Sequence, residues 1–361
     1  MPTPDNMTVH RTVRNDGQEY LDRLDIGKEV PAEIEEHLVK LYFTWQDPAS
    51  HVVQRNMYES AKLRWQEGTD TPYYSEALRN AICALGAAFE ARHHPTFVTF
   101  PKSLADFFAD RAKALVDIEL DSPSIATVQA MVILSGHDIG CKRDARGWLY
   151  SGMAMRLAFD LALHVDMTQY VKRGSISEAE ADLRKTVFWG AYTADQLWGF
   201  YLGRPFRINM EDVTAAKPGN STTESDQGQW AAYISAASPG QAQPDFSEEL
   251  GRQRALLCET MAPLGHALYG SRTIPSHVLQ EMNQRTVEEL EDWKNRLPLA
   301  LQVNLGESDE TTAYLPHVLL LHTIKQLFTP IDHGCQSITY NPSRLVGRAT
   351  ATPGRLALSP V

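Results

Sequence analysis

From Arg146 to Asp166 the residues sort by fours into separate ridges, which constrains the fold more than any other feature of the chain. Leu149, Met153, Leu157, Leu161 and Val165 form an apolar ridge. Ala154, Ala158 and Ala162 form a small-residue ridge beside it, suited to close approach of a neighbouring helix, and Met155, Phe159 and Leu163 form a third. Only Trp148, Gly152, Arg156, Asp160 and His164 interrupt the apolar surround. A helix that is apolar nearly all round is expected in the interior of a bundle. Arg156 on such a helix needs a partner, and Asp160, one turn on, and Asp195 are the two candidates. Internal charge satisfaction is the preferred role for Arg156; the alternative is an anchor for an acidic effector between helices.

The same three- and four-residue spacing recurs along the chain and predicts an all-α fold. It begins after Pro31 with Ile34, Leu38, Leu41, Tyr42 and Trp45, where Asp47-Pro48 is expected to stop the helix. Leu78 to Phe89 repeats it. Ser103 with Asp106, Ser124, and Ser177 with Glu180 mark helix starts, and Gly203 followed by Pro205 marks a helix end. Later helices follow through Leu250 to Leu268, with a kink expected at Pro263, then Val278 to Leu297, then Leu315 to Leu327. Strand-like alternation with tight hairpin turns is absent. Residues 1–30 read as a polar tail or linker, 31–330 as a single large multi-helical domain with a polar loop insertion at 217–246, and 331–361 as an irregular tail.

The charge balance limits partners. Lys and Arg number 34 against 45 Asp and Glu, a formal net charge of −11, so the chain as a whole repels phosphate backbones. No run approaches the roughly 20 apolar residues that span a bilayer, so no membrane contact is expected. Catalytic signatures are missing too. There is no phosphate-binding loop ending in Gly-Lys-Ser/Thr, nucleophile elbow, paired-histidine metalloprotease helix or aspartate-rich magnesium motif. No catalytic residue is therefore assigned.

The four cysteines, Cys83, Cys141, Cys258 and Cys335, are too scattered to form a zinc cluster in sequence. Asp160, His164 and Asp166 carry suitable donor atoms, but no third ligand falls in register with the Asp160–His164 step. The preferred role for His164 is helix-end capping, and no metal site is expected.

The run Arg146-Gly147-Trp148-Leu149-Tyr150-Ser151-Gly152-Met153-Ala154-Met155-Arg156-Leu157-Ala158, continuing through Asp160, His164 and Asp166, resembles the signature of the fungal-specific transcription factor domain. This domain is the middle homology region of fungal zinc-cluster transcription factors. Leu183-Arg184-Lys185 with Phe188-Trp189, Tyr192 and Asp195, and Leu202-Gly203-Arg204-Pro205-Phe206-Arg207-Ile208, resemble it in the expected order. So do the stretches Ala81 to Ala87 and Ser122 to Ala130.

The resemblance implies a non-enzymatic regulatory module in the nucleus, with the cytoplasm as the alternative location, sensing a small-molecule effector or binding a co-regulator. It also implies that Arg146, Trp148, Gly152, Arg156, Asp160, His164, Asp166, Arg184, Trp189, Asp195, Gly203, Arg204 and Pro205 serve the helix packing or an effector pocket. The family's DNA contact comes from a six-cysteine cluster holding two zinc ions. No such cluster precedes Cys83, so zinc and DNA are expected only through a module not carried in this sequence. An all-α enzyme or small-molecule carrier that has kept the regulator fold is the alternative.

Overall fold

The computed structural model describes residues 17–90, 102–205, 208–219, 228–233, 239–270 and 274–302. The expected helix at Leu315 to Leu327, the 331–361 tail and Phe206-Arg207 lie outside the described residues. Short helix α1 covers 17–23. It is followed by α2 (Ala32–Leu41), α3 (Asp47–Ser50), α4 (Arg55–Gln66), α5 (Glu76–Gly86) and α6 (Leu104–Glu119). Then come α7 (Ile125–Gly140), α8 (Asp144–Asp160), α9 (Thr168–Lys172) and α10 (Glu178–Leu202). Helices α11 (Ser247–Tyr269) and α12 (Ser276–Asn295) complete the described bundle.

Helix starts are built as the capping residues predict. The Ser103 hydroxyl accepts from Asp106 N–H at 3.0 Å, and Ser177 and Glu180 satisfy each other's backbone N–H groups. Helix α10 ends at Gly203, whose φ of 63° is the left-handed conformation that glycine adopts freely. Asp47-Pro48 does not stop the first helix. A single π-helical stretch, Tyr42–Gln46, leads into α3, where Pro48 sits in the first turn and costs no hydrogen bond. Pro263 likewise lies within an unbroken α11.

The most buried helices are α7 and α5, not α8. Every residue of α7 from Ile125 to Ser135 is buried, and α7 packs against α5, α6, α8 and α10. Helix α8 buries one face only: Gly147, Ser151, Ala154, Met155 and Ala158. Its leucine ridge is turned outward, with Leu149 57% exposed and Met153 and Leu157 half-buried. The small residues decide this orientation, because they let the α7 and α8 backbones approach. A Cβ on Gly147 would stand 2.5 Å from Ile139 Cγ1 and 2.7 Å from the Ser135 carbonyl oxygen. The expectation of a buried α8 is thus corrected.

Two further expectations change. Residues 17–30 are not a free linker: Leu21 and Val30 are buried, and the Arg111 guanidinium donates to the carbonyls of Ile26 and Lys28. The 217–246 insertion is not merely a polar loop either, because it contains a hairpin of β1 (Gln229–Tyr233) and β2 (Pro239–Pro244), paired antiparallel. Indole N–H groups fasten it to the π-helical stretch. Trp230 Nε1 donates to the Thr44 carbonyl at 2.9 Å, and Trp45 Nε1 donates to the Tyr233 carbonyl at 2.7 Å. The strands have too few alternating apolar residues to announce themselves, so the hairpin is held by these anchors.

Candidate functional site

The motif residues of α8 and α10 form supports rather than one pocket. Arg146, Arg156 and Asp160 are exposed, and no ion pair joins Arg156 to Asp160 or Asp195 among the described residues. This corrects the paired-ridge expectation, for Arg156 lies on the solvent side of a half-buried helix. Asp195 is buried and accepts from Ser151 Oγ at 3.4 Å; burial pushes its carboxyl up to about 6. Trp148 is half-buried, with the Arg204 guanidinium 4.9 Å above its ring, which ties the turn at Gly203 to α8. Gly152 faces open space, and Pro205 is exposed.

The end of α8 is held by Arg184, not His164. Ala162 takes the left-handed conformation with φ 53°, and Arg184 Nη2 donates to the Leu161 and Ala162 carbonyls at 2.7 and 3.3 Å. The His164 ring instead stacks near Phe159, 4.5 Å between centroids. Asp166 accepts from the Thr168 N–H and hydroxyl at the start of α9. Asp160, His164 and Asp166 therefore do not converge on one point.

Among the described residues, one cluster of metal-capable atoms forms: Asp106, His137 and Cys141 offer a carboxylate oxygen, an imidazole nitrogen and a thiol within 4.8 Å. The i, i+4 step from His137 to Cys141 was its sequence signal. Cations already occupy the surroundings. Arg143 Nη2 donates to Asp106 at 2.6 Å, and Lys113 Nζ donates to the neighbouring Asp138 at 2.6 Å. Burial alone would raise the Asp138 carboxyl, but hydrogen bonds from His137, Lys113 and Arg143 bring it down to about 2. These residues do not fit a binuclear zinc cluster, since Cys83 and Cys258 sit singly in α5 and α11, where burial pushes both thiols up to about 12.

A different convergence makes the best candidate site. His51, just past the C-terminus of α3, takes the left-handed conformation with φ 38° and turns its ring toward α10 and α11. Ser50 and His51, then Thr186, Trp189, Gly190 and Thr193 of α10, Pro218, and Gly251 and Arg254 of α11 line a crevice of about 260 Å³ including its open mouth. Space for it depends on α10 approaching the 51–52 backbone closely, because a Cβ on Gly190 would lie 3.2 Å from Val52 Cβ and Cγ2.

The crevice is polar and asymmetrically charged. His51 Nδ1 faces Asp47 Oδ2 at 3.1 Å, while its Nε2 is buried without a hydrogen-bond partner. Burial would lower the His51 pKa, but the hydrogen bond and charge of Asp47 raise it above the ordinary histidine value. Arg254 Nε is also buried without a partner, and desolvation pushes the guanidinium down to about 10. Trp189 closes one side, its Nε1 donating to the Ala216 carbonyl at 2.9 Å and its ring lying 5.2 Å from Lys217 Nζ.

Of the residues marked by the sequence, only Trp189 lines this crevice. Arg254 nevertheless had a readable signal: it falls between Leu250 and Cys258 on a four-residue ridge whose other members are buried.

The family model for the fungal specific transcription factor domain matches residues 39–302. The chain belongs to the fungal-specific transcription factor domain family. The domain is 31% identical over 310 residues to the nitrogen assimilation transcription factor nit-4 of Neurospora crassa, an alignment covering 81% of this chain and 26% of that protein. It is 29% identical over 343 residues to the nitrogen assimilation transcription factor nirA of Emericella nidulans, covering 90% of this chain and 36% of that protein. It is also 28% identical over 191 residues to the activatory protein CHA4 of Saccharomyces cerevisiae, covering 49% and 29%. The chain thus spans well under half the length of these relatives, of which nit-4 and nirA are transcription factors. No solved structure matches it. Among the described residues no helix is long and apolar enough to cross a membrane.

Proposed function

We propose that this domain is the effector-sensing regulatory part of a fungal transcription regulator, working in the nucleus and reaching DNA through a zinc-cluster module that these residues do not supply. The crevice carries the reading. Its walls come from α3, α10 and α11, with α3 more than a hundred residues before the other two in sequence, and among its lining residues His51 and Arg254 each have a buried nitrogen without a partner. A ligand there would contact α10 and α11 together. It would shift their packing only to the extent that it binds one arrangement better than another. A co-regulator protein is then the natural reader of the helix shift. The names of nit-4 and nirA make nitrogen assimilation the first process to test.

The test is a transcription reporter in a fungal host, driven by the whole chain fused to an unrelated DNA-binding domain. The fusion should give an output that differs from the DNA-binding domain alone and changes with nitrogen source. An output equal to that of the DNA-binding domain alone in every medium, with the fusion present in the nucleus, would refute the proposal.

A further inference from the structure

We infer that the crevice between His51, Trp189 and Arg254 is a binding site for a small planar oxyanion, either free or as the carboxylate of a small acid. The inference deepens the effector-sensing reading and takes its biological meaning from it, although the binding itself is measured independently.

The charges carry the argument. Arg254 makes no hydrogen bond and no ion pair among the described residues, whereas half-buried guanidinium groups at helix junctions normally have a carboxylate. Each acidic group near the crevice is already engaged. Asp47 faces His51 Nδ1, Glu259 pairs with Lys217 Nζ at 3.0 Å, and Glu249 accepts from Gln253 Nε2. Asp245 caps the start of α11 through the Ser247 N–H and hydroxyl, and Asp195 is turned to Ser151 on α8. Glu248 is exposed. No carboxylate faces Arg254 itself, so an anion entering the crevice supplies the partner that its guanidinium lacks.

Shape and donors select the kind of anion. The crevice is narrow, its volume of about 260 Å³ including the open mouth, so only a ligand of a few atoms suits it. The guanidinium is a planar fork that meets a planar oxyanion with two parallel N–H donors, and the Trp189 indole offers a flat apolar wall beside it. His51 has its Nδ1 fixed by Asp47, so when protonated it presents Nε2–H as a further donor to the crevice. A divalent tetrahedral anion would bring more charge than this set balances.

Calorimetric titration of the whole chain with sodium formate, acetate and nitrate, at constant ionic strength with chloride as the background, tests the inference. Sodium sulfate and phosphate run in parallel. Saturable one-to-one binding of at least one planar anion is expected, weakened about tenfold or more in Arg254→Gln, since a charged hydrogen-bond partner is lost. Arg204→Gln, altered at the Trp148 stack instead, should bind as wild type. Circular dichroism melts confirm that each variant is folded, and Arg254→Lys, which keeps the charge but loses the fork, should fall between wild type and Gln. Acetate binding without nitrate assigns the site to the carboxylate of an acid; nitrate binding without acetate assigns it to a free oxyanion.

No saturable binding of any planar anion by the folded wild type, unchanged affinity in Arg254→Gln, or tighter binding of sulfate or phosphate would overturn the inference. If anions bind and the reporter ignores Arg254→Gln, the site stands and the effector reading falls. If the reporter responds to nitrogen source with no anion binding, the reverse holds.

Discussion

Replacing Arg254 by Met should stabilise the anion-free domain. The side chain keeps most of its apolar stem in Met, so packing changes little, while the unpartnered charge disappears. Desolvation lowers the Arg254 pKa from the ordinary guanidinium value to about 10. At about 1.4 kcal/mol per pKa unit, that difference corresponds to a penalty on the order of 3 kcal/mol on the charged form in the folded state. Discounted for the part of the group that reaches solvent, the expected gain is about 1–3 kcal/mol. The sign with pH is fixed as well. A cation whose folded-state pKa lies below its unfolded value destabilises fully at every pH below about 10 and less above it, so the gain should be flat from pH 6 to 8. Urea melts of wild type and Arg254→Met in low-salt buffer measure it directly, with unchanged denaturant slopes confirming that the two unfold from comparable states. A loss of about 1 kcal/mol or more in Arg254→Met would show that the guanidinium is paired and stabilising, and the charge argument for the crevice would fail. The expected gain is the usual trade at a binding site, where a group kept for a ligand weakens the empty protein.

The pH dependence of stability should be dominated by two buried acids. Burial raises Glu119 to about 7 and Asp195 to about 6, so the stability they contribute is fully present below their ordinary values near 4 and is lost as pH rises through 6 and 7. Glu119→Gln and Asp195→Asn should each flatten the curve, gaining little over wild type near pH 4 and on the order of 2–3 kcal/mol at pH 8; melts across that range check this, and parallel curves would contradict it. Arg156→Ala and Asp160→Ala, both exposed, should each stay within about 0.5 kcal/mol of wild type in denaturant melts, singly and together. Gly147→Val should destabilise by about 3 kcal/mol or more in the same melts, because its side chain would collide with Ile139 and the Ser135 carbonyl across the α7–α8 contact.

Helix starts were legible because capping is local: Ser103 with Asp106 and Ser177 with Glu180 bond within one turn, so the sequence contains the whole interaction. Which helix lies in the middle was not, since burial depends on partners far away in the chain. Leu149 and Ala154 look equally apolar in sequence, yet the approach of α7 admits only the small ridge and leaves Leu149 outside. Helix α4 escaped notice because its polar residues outnumber the three it buries, Tyr58, Ala61 and Trp65. The 229–244 hairpin was invisible for a similar reason, being fixed by indole bonds to residues nearly two hundred positions away. For the site, the motif residues flagged a region without flagging the pocket. Trp189 was marked by its family motif, whereas His51 and Arg254 meet only through tertiary packing. The lone cation on the Leu250–Cys258 ridge was the one local sign of them.

One small oxyanion is expected to join α3, α10 and α11 inside the regulatory domain. Hydrogen exchange read by mass spectrometry, on the whole chain with formate exchanged for chloride at equal ionic strength, tests it most directly. Exchange should slow together in three distant segments: around His51, across Thr186 to Thr193, and across Gly251 to Cys258. Arg254→Gln should abolish all three effects. Exchange that is unchanged by formate, or slowed only elsewhere such as along α8, would contradict the claim.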